Sequence, residues 1–135
     1  MNKLLLHKEV KKDLEEIHLL DSIASVRIVA FMQQVINDPD ILKKLTTHCY
    51  RNYDETLDVK KWISMHEAGC PVWRLRFTDF AYRNPDYRIF YVISEDPLVI
   101  HIIAICKRED INYDDPNHPV CRRVARCCAE LWRSA

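Results

Sequence analysis

Two spacings of hydrophobic positions divide the chain. From Lys8 to Leu45 apolar residues recur every three or four positions, the mark of helices with one buried stripe. Val10, Leu14, Ile17 and Leu20 share one face of a first helix, with Lys11, Lys12, Glu15 and Glu16 opposite. Asp21-Ser22 caps a second helix, whose inward positions are predicted as Ile23, Val26, Val29 or Ala30, Met32 or Gln33, and Ile36. So tight a break makes the two an antiparallel hairpin. Asn37-Asp-Pro39-Asp ends the second helix, and a short third one runs through Leu42 and Leu45. Leu4 to Leu6 reads as a short opening strand, and the polar stretch Tyr50 to Glu55 as a loop.

From Leu57 the period changes to two. Leu57 to Met65, Val72 to Thr78, Tyr87 to Ile93 and Leu98 to Cys106 are rich in β-branched and aromatic residues and read as strands. Their hairpin-sized connections predict an antiparallel meander. Pro119 then opens a final helix with Val120, Val124, Cys127 or Cys128, and Leu131 as its stripe; Arg122, Arg123, Arg126 and Arg133 point outward. The expected architecture is α+β and a single domain over residues 1–135. An N-terminal helical hairpin packs on one face of a four-stranded antiparallel sheet followed by a C-terminal helix, and the other face is partly free.

Composition removes several classes of function. A chain of 135 residues supports one core, and a single glycine, Gly69, excludes a Gly-rich phosphate loop. No apolar run is long enough to span a membrane, and three leucines before charge returns are too few for a signal peptide; the expected location is cytoplasmic. None of the six cysteines forms a CxxC pair, so reduced, mostly buried core thiols are expected. His66-x3-Cys70 and His118-x2-Cys121 do not match zinc spacing, and neither metal nor cofactor is expected. With a net charge of zero, any affinity for nucleic acid must come from local clustering.

Such clustering exists. In Val72-Trp-Arg-Leu-Arg-Phe77 alternation places Trp73, Leu75 and Phe77 on one face and Arg74 and Arg76 on the other. Arg88 lies in the next strand, Lys107 and Arg108 end the last, and Tyr113 follows. Arg74, Arg76, Arg88 and Arg108 brought together would repel one another unless an anion or acidic partner neutralised them. Cations beside Tyr and Trp suit phosphate gripping and base stacking.

The series Lys8-Glu-Val-Lys-Lys-Asp-Leu14, Trp73-Arg-Leu-Arg76, Asp86-Tyr-Arg-Ile-Phe-Tyr91, Val99 to Ile105, and Lys107-Arg108…Tyr113 resembles the RelE/ParE superfamily of toxins from type II toxin–antitoxin modules. The resemblance covers nearly the whole chain in element order. It implies a RelE-like, microbial-RNase-type fold and a metal-independent endoribonuclease, an mRNA interferase that cuts mRNA on the ribosome and so inhibits translation. It implies as partners a cognate antitoxin, mRNA and the ribosome, with no membrane. Carried over residue by residue, Arg76, Arg88, Arg108 and Tyr113 are the catalytic candidates, and Arg74, Lys107 and Tyr82 the RNA contacts. Arginine does not deprotonate in proteins, so Arg74 and Arg76 are not bases; Asp79, Asp86 and His101 are the candidate proton acceptors. The alternatives are a ParE-like DNA gyrase inhibitor and a non-catalytic, antitoxin-binding domain of the same fold.

Overall fold

The computed structural model describes residues 2–51, 57–77, 87–95 and 98–133. Within them the chain runs β1 (Lys3–Leu6), α1 (Lys8–Leu20), α2 (Ser22–Asn37), α3 (Ile41–Leu45), β2 (Tyr50–Arg51), β3 (Leu57–Lys61), α4 (Ile63–Glu67), β4 (Trp73–Phe77), β5 (Tyr87–Ser94), β6 (Val99–Lys107) and α5 (Pro119–Arg133). A 3-10 turn, Arg108–Asp110, follows β6.

The class is α+β as expected, but the sheet is larger and mixed. Six strands lie in the order β1-β6-β5-β4-β3-β2. β1 runs parallel to β6, with Leu4 opposite Ile100 and Leu6 opposite Ile102, while the remaining neighbours are antiparallel. A period of two identifies a strand without saying which edge it joins, and two-residue β2 is too short to show a period. The strand expected over 57–65 stops at Lys61. Trp62 and Met65 take helical spacing instead, and α4 is closed off by Gly69, two positions past its last residue, whose φ of 87° lets Cys70 N–H return to the Met65 carbonyl at 2.8 Å.

The α2 stripe also lies elsewhere. Ala24, Ile28, Phe31, Met32 and Val35 are buried, whereas Ile23, Val26 and Val29 are 65%, 62% and 42% exposed. This helix is apolar on most sides, so hydrophobic spacing alone does not choose between two phases. Local polar bonds do choose. Asp21 Oδ1 caps Ala24 N–H at 3.1 Å, and the buried Ser25 hydroxyl reaches His18 Nδ1 at 2.7 Å and the Ser22 carbonyl at 2.9 Å. Leu20, expected inside, is exposed.

Two cores sandwich the sheet. On one face α1, α2 and α3 cover Leu57, Val59, Trp73, Leu75, Phe77, Ile89, Tyr91, Ile102 and Ile105. Tyr91 fixes α3 there by donating its hydroxyl to the Leu45 carbonyl at 2.6 Å. On the other face, expected to be partly free, α5 brings Cys121, Val124, Cys127 and Cys128 onto Phe90, Val92, Ile103 and Ala104. A register shift beside Phe90, which pairs it with Ala104 and Tyr91 with Ile102, inserts Ile103 into this second core. Arg123, expected outside, grips Asp13 of α1 through two bonds of 2.8 and 2.7 Å, and Asp13 also accepts from Ile105 N–H. Cys70 and Cys128 are joined as a disulfide between the α4–β4 connection and α5, with Cα atoms 6.1 Å apart. This corrects the expectation of six reduced thiols, and Cys49 is exposed. The two cysteines are 58 positions apart, a pairing that spacing rules do not identify.

Candidate functional site

α5 covers only part of its face. Beyond it, the ends of β3, β4 and β5 carry charge where the alternation would otherwise place core. Asp58 and Lys60 of β3 sit directly across from Arg76 and Arg74 of β4. Arg88 joins them from β5, Arg108 from the turn after β6, and Tyr113 from the connection to α5. Together these seven residues line a cleft of about 290 Å³.

The cleft is unevenly neutralised. Asp58 is buried and accepts from Arg76 Nε at 2.7 Å. Burial pushes the Asp58 carboxyl up, but the Arg76 bond and the charges of Arg74, Arg76 and Lys60 outweigh it, so the group lies below its ordinary value. Asp58 is thus ionised at neutral pH. Lys60 and Arg74 are a like-charged cross-strand pair, an arrangement that costs stability in a sheet. Burial, with Arg88 and Arg76 close by, draws Arg74 below its ordinary value, partly opposed by Tyr113 and Asp58; it nonetheless stays cationic. Arg88 is buried, and its Nη1 donates to the Tyr87 carbonyl at 3.5 Å.

Tyr113 forms one wall. Its ring packs edge-on against Trp62 at 5.0 Å and Phe90 at 6.2 Å, and Arg108 stands over it at 5.6 Å. Its hydroxyl is buried without a hydrogen-bond partner among the described residues. Burial raises the phenol above its ordinary value, against the opposing pull of Arg74, Arg88 and Arg108, so it remains an O–H donor at neutral pH. With its ring enclosed, Tyr113 is better placed to offer that hydroxyl than to stack a base. Trp62, Ile63, Lys61, Ser64 and Asp114 line a second pocket of about 320 Å³, which shares Lys60, Arg74 and Tyr113 with the first. A charged cleft and a pocket of mixed lining, walled in part by Trp62 and Ile63, thus adjoin across three common side chains.

Of the residues singled out by sequence, Arg74, Arg76, Arg88, Arg108 and Tyr113 meet in this cleft. Lys107 does not. It pairs with Tyr87 in register, which turns it to the face opposite Arg88, and it lies 4.0 Å from Glu109. Tyr82, Asp79 and Asp86 lie outside the described residues. His101 is bonded to the Ser94 hydroxyl at 3.0 Å and depressed by burial; it is not among the cleft residues. Cys106, across from Arg88, is pushed up to about 12 by burial and then by Asp13 and Asp110, so its thiol is no nucleophile at neutral pH.

Asp58 and Lys60 were not singled out by sequence. Their signal is the alternation in Leu57-Asp-Val-Lys-Lys61, which sets both on one face, but only the β3–β4 register shows that face to be the arginine face. Comparison with protein-family models, curated proteins and solved structures finds no match for this chain.

Proposed function

We propose that this cleft holds an RNA phosphodiester and that the protein is a RelE-like, metal-independent endoribonuclease, the toxin of a type II toxin–antitoxin module that cuts mRNA on the ribosome. The observation that carries this reading is the crowding of Lys60, Arg74, Arg76, Arg88 and Arg108 around the Asp58 carboxylate, next to a pocket walled in part by Trp62, Ile63 and Tyr113. Like charges held opposite one another gain most from a bound polyanion. The neighbouring pocket, with Trp62 and Ile63, accepts a base splayed from the strand.

In this mechanism the ribose 2′-oxygen bonds to the adjacent phosphorus, and its proton passes to Asp58, the only carboxylate among the described residues that line the charged cleft. Arg74, Arg88 and Arg108 stabilise the extra negative charge of the phosphorane. The Tyr113 hydroxyl donates to a phosphate oxygen. The P–O5′ bond then breaks, the departing oxygen takes a proton from water, Asp58 returns its own proton to solvent, and the products are a 2′,3′-cyclic phosphate and a 5′-hydroxyl. Arg76 holds Asp58 in place.

Purified protein added to translating ribosomes on a defined mRNA is expected to give new 5′-hydroxyl ends at codon-fixed positions. Asp58→Asn is expected to reduce cutting by about 10²- to 10⁴-fold, the usual loss of a general base, while RNA binding persists. Absence of new ends from both ribosome-bound and free RNA would overturn the nuclease reading.

A second reading, a non-catalytic domain held by a protein partner such as a cognate antitoxin, draws on a separate observation. Leu19, Leu20, Ile23 and Val26 form an exposed apolar strip at the α1–α2 turn. Such a strip suits a protein partner whichever chemistry the cleft performs.

A further inference from the structure

Where the start of α1 meets α5, three potential metal ligands converge from opposite ends of the chain. His7, Glu9 and Cys127 each place a ligand atom within 4.8 Å of the others. Cys127 Sγ lies 3.5 Å from His7 Nε2 and 3.7 Å from Glu9 Oε2. Glu130 Oε2, 3.4 Å from His7 Nε2, stands just outside that mutual range. Tetrahedral zinc, with bonds of about 2.3 Å to sulfur and about 2.0–2.2 Å to nitrogen and oxygen, separates its ligand atoms by about 3.3–3.6 Å. The three separations fall at or close to those edge lengths.

We propose that His7 Nε2, Glu9 and Cys127 Sγ hold a structural zinc ion that clips the first turn of α1 to α5, and that Glu130 turns in from beside His7 as its fourth ligand. The mixed sulfur, nitrogen and oxygen set suits zinc rather than calcium or magnesium, which take oxygen ligands. A thiolate and two carboxylates around a dication leave one net negative charge. Two guanidinium groups already stand outside it, Arg126 Nη2 at 2.6 Å and Arg123 Nε at 3.5 Å from Glu9 Oε2. They are outer partners that orient the carboxylate, and they shift toward its second oxygen when the metal binds.

Binding also changes one histidine bond. His7 Nδ1 now accepts from Glu9 N–H at 3.3 Å; with zinc on Nε2 the proton moves to Nδ1, which gives up that bond. The site shares no residue with the charged cleft, so it stands or falls apart from the nuclease reading. In sequence it is hidden, because His7 and Cys127 are 120 positions apart.

The test is titration of the chelator-treated full chain with Co(II) and with Zn(II) against a chromophoric competitor. One tetrahedral Co(II) per chain is expected, with a thiolate-to-cobalt absorption band. Cys127→Ser should remove that band. His7→Asn and the half-exposed Glu130→Gln should each weaken zinc by at least about ten-fold, the lower end of what loss of even an outer partner costs a metal site. Cys49→Ser should change nothing. No binding in the micromolar range, or a band that persists in Cys127→Ser, or unchanged zinc affinity in both His7→Asn and Glu130→Gln, would overturn the proposal.

Discussion

Neighbouring residues of β4 do opposite work on the two faces of one sheet. Leu75 is fully enclosed beneath the N-terminal helices, while Arg74 and Arg76, one position either side, face the charged cleft. On the first face the inward positions beneath the helices are apolar, and Lys61 and Lys107 fall only at strand ends. On the second, α5 closes over Phe90, Val92, Ile103 and Ala104, and charge begins where that cover stops. The difference teaches that the site is a stretch of sheet face left uncovered by the last helix. Its cations hold their positions because the opposite face is packed.

The sharpest way to break this comparison is to mutate adjacent positions of β4. Leu75→Ala should lower unfolding free energy by about 2–5 kcal/mol, as core truncations do. Arg74→Ala should leave stability unchanged or raise it, because it relieves the clash with Lys60. Urea unfolding of both variants checks this; equal destabilisation would erase the distinction between the faces.

The α5 side is held by packing and by the Cys70–Cys128 bond. Its reduction should cost about 2–4 kcal/mol by enlarging the freedom of the unfolded chain. Thermal melting with and without reductant measures the loss, and coincident melting curves would contradict it.

A smaller effect concerns Asp58. Its folded carboxyl lies below the ordinary value of 3.8, so its contribution to stability is complete above that pH and disappears as pH falls through the lower folded value. Asp58→Asn should therefore flatten the acid limb of a stability-against-pH curve. An unchanged limb would show that the Arg76 bond contributes nothing.

The smallest expected change is Tyr113→Phe. Because the hydroxyl lacks a partner among the described residues, stability should move by less than about 0.5 kcal/mol. Tyr113→Ala, which empties the packing against Trp62 and Phe90, should destabilise clearly in the same denaturation assay.

Much of this was legible in the sequence. Period-two alternation put Arg74 and Arg76 on the face opposite Leu75, and that reading holds. The positions of α1, α2, α3 and α5 followed from spacing and from the Asp21 cap, whereas α4 lay within an expected strand. What stayed hidden depends on register and distance. Asp58 became a site residue only when β3 paired with β4, and Lys107 left the site because its partner Tyr87 faces the other way. The inward side of α2 was ambiguous because Ile23, Val26 and Val29 are as apolar as the residues that are buried. The 58-position disulfide and the edge position of β1 are long-range pairings, on which local pattern is silent.

The central claim is that the crowded cations of the cleft hold RNA phosphates. It is tested most directly by the salt dependence of affinity for a short 2′-O-methyl RNA, which binds without being cut. Wild-type affinity should fall steeply with salt, and Arg74→Ala and Arg108→Ala should each reduce the logarithmic slope by about 0.7, one phosphate contact of a single strand. A wild-type protein that binds the RNA with a slope unchanged in both variants would place the RNA elsewhere and contradict the account.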